Sequence, residues 1–320
     1  MKKVIAALLA SATLVSGYIA FDMYMDHSAQ QAAATAAEKE KEQKAVEKKE
    51  KKEPVIKVED LTYQLKDSRT GALMREFKPV NFADKEVYNK EIKALASELA
   101  KGIDTPMQSM KLDGNGALIG GSNRIVLKEE ELVTSLQNLN TNQLEITVPI
   151  YETPPNVSVQ AAAGVSEVPI ASFTTKFRPS DTGRNRNIQL SAEAINNTIL
   201  GPGDYFSYNS VVGPRTVERG YQQAPEIINK ELVMGIGGGI CQTSSTLFNA
   251  VDKAGVQIVA RSHHSKDVGY VPKGRDATVS WNGPDFKFMN NKSYPIIIKT
   301  YTNVAGGTLT VEVRTAQRYL

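Results

Sequence analysis

Residues 235–247 read Gly-Ile-Gly-Gly-Gly-Ile-Cys-Gln-Thr-Ser-Ser-Thr-Leu, a glycine run that passes directly into a helical pattern. The consecutive glycines at 237–239 permit positive φ and a close approach of the backbone to another group. Leu247, Phe248 and Val251 follow at helical spacing, and Gly255 supplies a C-terminal cap, so a helix begins near Cys241. Downstream the pattern turns to strands: 256–260, 277–281, 294–301 and 308–314. Upstream, 187–200 reads as a helix with Ile188, Ile195 and Ile199 on one face, stopped by Pro202-Gly203, and Tyr205-Phe206-Ser207-Tyr208 reads as a short strand. Helices early and a mainly antiparallel sheet late give the α+β class. There is no internal repeat.

Further towards the N-terminus, 55–170 alternates strand and helix patterns on a smaller scale. Val55-Ile56-Lys57-Val58 reads as a strand, and 86–101 as a helix with Val87, Ile92, Leu95 and Leu99 in register, ended by Gly102. Gly114-Asn115-Gly116 and Gly120-Gly121-Ser122-Asn123 mark turns, 127–139 is a second helix, and 144–148 alternates as a half-exposed strand. Pro154-Pro155 and the small-residue run at 161–164 join this region to the next. No catalytic constellation is visible in it.

The first residues set the expected compartment. Lys2 and Lys3 precede an apolar run over 4–21 with no charge before Asp22. A basic start followed by an apolar stretch is how an export signal begins. The run approaches the roughly 20 residues that span a bilayer, so an uncleaved anchor is favoured over a signal cut near Val15 and Gly17. The positive-inside rule then makes the chain a single-pass membrane protein with everything after Asp22 outside. Residues 30–53 are Ala-, Glu- and Lys-rich with Glu/Lys pairs at i,i+4, the pattern of a solvated helical stalk that Pro54 stops. The expected domains are an anchor at 1–25, a charged stalk at 26–54, a small α+β middle domain at 55–168 and a C-terminal α+β domain at 169–320.

Composition narrows the function. Thirty-eight basic residues against 35 acidic ones leave a net charge of +3, too balanced for nucleic-acid binding through a basic surface. A single cysteine excludes an intramolecular disulfide and a cysteine-based zinc cluster, and three histidines leave little for a metal cage. No metal or organic cofactor is expected. That one thiol, Cys241, falls at a predicted helix N-terminus, where unsatisfied N–H groups and the helix dipole favour thiolate. The same geometry suits an oxyanion formed when sulfur attacks a carbonyl. The competing reading is a small buried hydrophobe in a tight turn. No Gly-Lys-Ser/Thr closes the glycine run, so a phosphate-binding loop is excluded. Of the adjacent His263 and His264, an extended chain lets only one face Cys241, and thiol, imidazole and an orienting carboxylate make a nucleophilic triad. Asp276 is the nearest carboxylate placed to begin a strand, with Asp267 and Asp285 as competitors.

Residues 173–314 resemble the VanW family. The matching motifs are Phe173-Thr174-Thr175, Arg184-Asn185-Arg186-Asn187-Ile188, Pro202-Gly203-Asp204-Tyr205-Phe206-Ser207, Val212-Gly213-Pro214-Arg215-Thr216 and Gly220-Tyr221. Most specific are 237–247 and His264-Ser265 followed by Tyr270-Val271-Pro272-Lys273-Gly274-Arg275-Asp276-Ala277. The middle region resembles the peptidoglycan-binding-like domain that precedes VanW in longer members. The resemblance implies an envelope protein of the kind found in glycopeptide-resistance clusters, with cysteine-dependent L,D-transpeptidation of peptidoglycan stem peptides in some members. Carried over by motif, Cys241 is the nucleophile and His264 the base, while Arg215 and Asp276 match family positions. Gly238, Gly239, Gln242, Ser244, Arg215 and Tyr270 are the candidates for substrate or oxyanion binding. Many members have His-Pro where this chain has Ser262-His263, which favours His264 as the base. Two other readings are a non-catalytic peptidoglycan-binding protein and a stem-peptide hydrolase using the same cysteine.

The topology is open to a direct measurement. Protease treatment of intact cells should release the part of the chain that follows the apolar run; full protection would contradict the expected orientation.

Overall fold

The computed structural model describes residues 35–42, 56–228 and 231–320. The expected anchor and most of the stalk lie outside the described residues. Among the described residues no helix is long and apolar enough to cross a membrane. Two units divide the chain, 1–61 and 62–320. In the first, residues 35–42 form an exposed helix, α1. Val58–Asp60 is a 3-10 turn where a strand over 55–58 was expected. The Asp60 carboxylate accepts the Lys57 N–H at 3.2 Å and holds the chain in the turn.

The second unit begins with β1 (Tyr63–Asp67), β2 (Leu73–Phe77) and α2 (Lys85–Ile103). Asp84 caps α2 by accepting from the Glu86 and Val87 amides, and Tyr88, Ile92, Ala96 and Ala100 make its buried stripe at i,i+4. Next come β3 (Gln108–Leu112), β4 (Leu118–Ser122), β5 (Arg124–Leu127), α3 (Glu129–Gln137), β6 (Glu145–Val148), β7 (Ile150–Thr153) and α4 (Val159–Ala162). Strands β2, β1 and β6 form a small sheet in which β1 and β6 run parallel.

The chain continues through β8 (Val168–Lys176), α5 (Thr182–Ile195), β9 (Thr198–Leu200), β10 (Tyr205–Ser207) and α6 (Tyr208–Val212). Then follow β11 (Gln223–Ile228), β12 (Glu231–Ile236), α7 (Ile240–Lys253), β13 (Gln257–Ala260), β14 (Lys287–Met289), β15 (Ile296–Asn303) and β16 (Thr308–Thr315). The main sheet has the order β4-β3-β9-β15-β16-β8, and every neighbouring pair is antiparallel. Two of its strands, β3 and β4, come from the middle segment. Ile296, Ile297 and Ile298 are all fully buried because both faces of the sheet are covered there. Ile296 and Ile298 pack into the large core with Leu247, Phe248 and Val251 of α7, while Ile297 points the other way, onto Ile199, Ala162 and Val165.

The α+β class stands, and several local expectations do not. The helix read over 187–200 ends at Ile195; Asn197 takes φ +62°, and Ile199 belongs to β9 rather than to a helix face. The strand read over 277–281 is reduced to a single bridge between Ser262 and Thr278. Its backbone is instead bonded to hydroxyls of α7 and to the local turn in which Ser280 N–H donates to Pro284. The hairpin of β11 and β12, which delivers the chain to the glycine loop, was not foreseen.

Below α7, Phe206 and Phe288 stack with ring centroids 4.6 Å apart, and Phe286 lies 5.7 Å from Phe288. Phe288 is fully buried. Phe288→Ala should lower the free energy of unfolding by about 3–5 kcal/mol in a denaturant titration.

Candidate active site

The glycine loop is built by crowding. A Cβ at Gly238 would fall 2.5 Å from the Ala224 carbonyl oxygen, and Gly239, with φ +110°, would set one 2.9 Å from the Arg184 side chain. Only glycine lets β11 and α5 press this closely against the entry to α7. The Ile240 amide donates to Gly237 and the Gln242 amide to Gly239. Among the described residues the Cys241 amide has no backbone acceptor, which leaves a donor at the thiol itself.

Beyond Cys241, α7 is anchored by its own polar side chains. Ser244 Oγ donates to the Ala277 carbonyl, and Ser245 Oγ accepts from the Ala277 N–H at 2.9 Å. Asn249 Nδ2 donates to the Arg275 carbonyl at 2.8 Å. These bonds lay residues 275–279 along the helix and bring Asp276, Thr278 and Val279 to the thiol. Cys241 Sγ lies 3.4 Å from the Val279 carbonyl oxygen and 3.7 Å from Thr278 Oγ1.

His264 lines the same cleft as Cys241, close enough for thiol and imidazole to shift each other's titration. On its other side His264 Nδ1 is 2.6 Å from Asp276 Oδ2, and the same carboxylate oxygen accepts the His264 backbone N–H at 2.7 Å. His263 Nδ1 reaches Asp276 Oδ1 at 2.8 Å. The two rings therefore do not diverge as an extended strand would require: residues 263–264 lie outside any strand, and both imidazoles turn to one carboxylate. Arg261 lies 3.2 Å from His263 Nε2. A guanidinium can only donate, so His263 Nε2 accepts and its Nδ1 carries the proton given to Asp276. The competing carboxylates are engaged elsewhere, Asp285 with Ser207 and the Asn209 amide, Asp267 with Lys273.

The titrations follow from these contacts. Burial pushes the Cys241 thiol up, but hydrogen bonding and Coulomb attraction from His264 outweigh it, and the thiol lies below its ordinary value. Burial alone would depress His264; the contacts with Cys241 and then Asp276 raise it instead. Asp276 is opposed by burial, yet the His264 amide and the two imidazoles bring its carboxyl down to about 2. The arrangement favours a thiolate–imidazolium pair held by a carboxylate, the protonation state a nucleophilic thiol requires.

Cys241 and His264 open onto a cleft of about 660 Å³ that Arg184, Arg215, Tyr270 and Trp281 also line. Gly238, Gly239, Arg215 and Tyr270, taken from sequence as binding candidates, all face this cleft. Gln242 also borders it, but its side chain donates to Thr175 and Lys176 and accepts from Arg184, while the Ser244 hydroxyl is bonded to protein carbonyls. Sequence reasoning singled out neither Arg184 nor Trp281; Arg184 stood inside a quoted motif, but only the fold carries it to the glycine loop. Among the described residues no group of three or more His, Cys, Asp or Glu side chains is placed to hold a metal ion.

Fold and cleft together define an α+β protein with a thiol–imidazole–carboxylate triad at the start of a buried helix. The chain belongs to the VanW-like protein family, which matches residues 183–314. That match leaves residues 55–168 outside it. An uncharacterized protein of Bacillus subtilis (strain 168), YoaR, is 42% identical over 218 residues, covering 68% of this chain and 71% of YoaR. The vancomycin B-type resistance protein VanW of Enterococcus faecalis (strain ATCC 700802 / V583) is 31% identical over 110 residues, 33% of this chain and 40% of its own length. No solved structure matches.

With its carboxyl lowered to about 2, Asp276 contributes about 2 kcal/mol of stability, fully present above about pH 4 and lost as pH falls through about 2. Asp276→Asn should remove that contribution at neutral pH and flatten the acid limb of an unfolding-versus-pH curve, while slowing alkylation of Cys241.

Proposed function

We propose that the protein is an extracytoplasmic cell-wall enzyme that transfers acyl groups between peptidoglycan stem peptides through a thioester on Cys241. The observation that carries this reading is the placement of Cys241 and His264 on one open cleft, with Asp276 bonded to the far side of the His264 ring. Kinship with a vancomycin-resistance protein supports a role at the wall, and the basic and apolar start of the sequence supports export with retention at the membrane. The middle segment then serves to hold wall polymer near the cleft.

The chemistry closes without a further reactant. The Cys241 thiolate attacks a peptide carbonyl of the donor stem, forming a C–S bond and an oxyanion that the free Cys241 amide can meet. The oxyanion collapses, the C–N bond breaks, and the leaving amine takes the proton from the His264 imidazolium. An amine of a second stem then attacks the thioester while neutral His264 accepts its proton. The new C–N bond forms, the C–S bond breaks, and the thiolate–imidazolium pair is restored. Asp276 holds the ring and its charge throughout, and the Arg261–His263 pair holds Asp276.

Incubation with purified stem peptides should add the mass of a donor acyl group to the wild-type protein and not to Cys241→Ser. Alkylation of Cys241 should remain fast below the ordinary thiol pKa of about 8.5. His264→Gln should slow alkylation and turnover by roughly a hundred- to ten-thousandfold, and His263→Gln by much less. Cross-linking by a folded Cys241→Ser protein would refute the assignment, and products in which water replaces the acceptor amine would make the protein a hydrolase.

A further inference from the structure

The cleft holds two arginines that the triad chemistry does not use. Arg184 lies against Gly239 and Arg215 against Gly237, so the loop leading to Cys241 touches both side-chain stems. Both guanidinium groups are partly withdrawn from water, and among the described residues neither has an ion-pair partner. Arg69, Arg75, Arg275 and Arg314, by contrast, each pair with a carboxylate. The cleft's own acids, Asp181 and Glu226, ion-pair with neither arginine.

What holds the two arginines is neutral. Arg184 Nη2 donates to Gln242 Oε1 at 2.7 Å, and Gln242 is itself fixed by donating to Thr175 and Lys176. Arg215 Nη2 donates to Asn209 Oδ1 at 2.7 Å, and Asn209 is fixed by donating to Ser280 and Pro284. Arg184 lies over the Tyr270 ring at 5.9 Å; Arg215 stands 5.8 Å from Tyr208 and 5.9 Å from Trp281. Amide oxygens and ring faces orient a guanidinium without cancelling its charge. Arg215 Nη1 is buried and has no hydrogen-bond acceptor among the described residues. Leaving a charged donor in that state is costly, and a ligand that brings an anionic acceptor relieves it.

We propose that Arg184 and Arg215 form a carboxylate receptor beside Cys241, so that the cleft selects peptides carrying a free carboxylate next to the bond that is attacked. The planar fork of a guanidinium matches a carboxylate, and two forks lining the cleft beside the glycine loop fix the direction in which a peptide enters. The inference deepens the acyl-transfer reading and rests on it for the reaction, but the binding it describes is measurable without turnover.

Trp281 is the single tryptophan of the chain, so its fluorescence reports on this cleft alone. The wild-type protein is titrated with a purified tetrapeptide stem and with the same stem after its carboxylates have been converted to amides. Trp281 emission reads binding, and intact mass reads thioester formation. The acid form should bind at least about tenfold more tightly, the scale of a charge-assisted hydrogen bond. That ratio should fall towards one in Arg184→Gln and Arg215→Gln and be partly kept in Arg184→Lys and Arg215→Lys. Equal affinity for the two forms, or no saturable change in Trp281 emission with either, overturns the proposal, and both are read on the wild-type protein whether or not the variants fold. Acid-selective binding without any thioester would keep the receptor and remove acyl transfer; thioester formation at equal affinity would do the reverse.

Discussion

Gln242, Thr243, Ser244, Ser245, Thr246 and Asn249 are all buried in the first turns of α7, and the protein is arranged so that each meets a partner. A buried polar group left unpaired costs about 1–3 kcal/mol, so six of them could unfold a domain of ordinary stability. Thr175 on β8 takes Gln242 and Thr246, Ser191 on α5 takes Thr243, and the segment 275–279 takes Ser244, Ser245 and Asn249. Three separate parts of the chain are thereby fastened to one helix. Cys241 lies in the first turn of that helix, and Asp276 sits in the segment its hydroxyls hold. The position of the thiol relative to the carboxylate is therefore a by-product of satisfying the helix.

Electrostatically the site sets burial against pairing. Withdrawal from water disfavours the thiolate, the imidazolium and the carboxylate alike, and each is rescued by the next. Such a chain of groups works only when complete, because a single missing partner leaves an uncompensated charge in a poorly solvated place. The second imidazole reinforces the far end: with Arg261 donating to its Nε2, His263 donates a hydrogen bond from Nδ1 to the Asp276 carboxylate.

Much of this was legible where periodicity is strong. The helix after the glycines and the last two strands of the sheet follow from spacing, because each buries one regular face. On α2 the spacing gave the helix but not its inner face: the stripe read at Val87, Ile92, Leu95 and Leu99 is turned by one residue, so that Tyr88, Ile92, Ala96 and Ala100 are buried and Val87 is exposed. Ile199 misled because an apolar residue four positions beyond Ile195 continues a helical stripe, whereas the left-handed Asn197 breaks the helix before it. The stretch around Trp281 carries the β-favouring residues of a strand, but its amides and carbonyls are claimed by α7, a tertiary demand that no local pattern records. At the site, residue chemistry found Cys241 and His264 and left Asp276 in competition with Asp267 and Asp285. Choosing among them needs the serine and asparagine bonds that draw residues 275–279 to the helix. Arg184 went unremarked as a site residue because 57 residues separate it from Cys241 and only the packing of α5 on the glycine loop joins them.

The order of strands in the main sheet also governs when it can close. Strand β16 lies between β15 and β8, yet it follows every other strand of that sheet in sequence, more than 130 residues after its partner β8. Until β16 is available, β8 has no hydrogen-bonded neighbour in that sheet and β15 has one open edge. The ordering of so distant a pair must be overcome before contacts repay it, which places this topology among slowly closing, non-local folds. Until β16 pairs, the open edges of β8 and β15 are exposed to premature pairing with other strands.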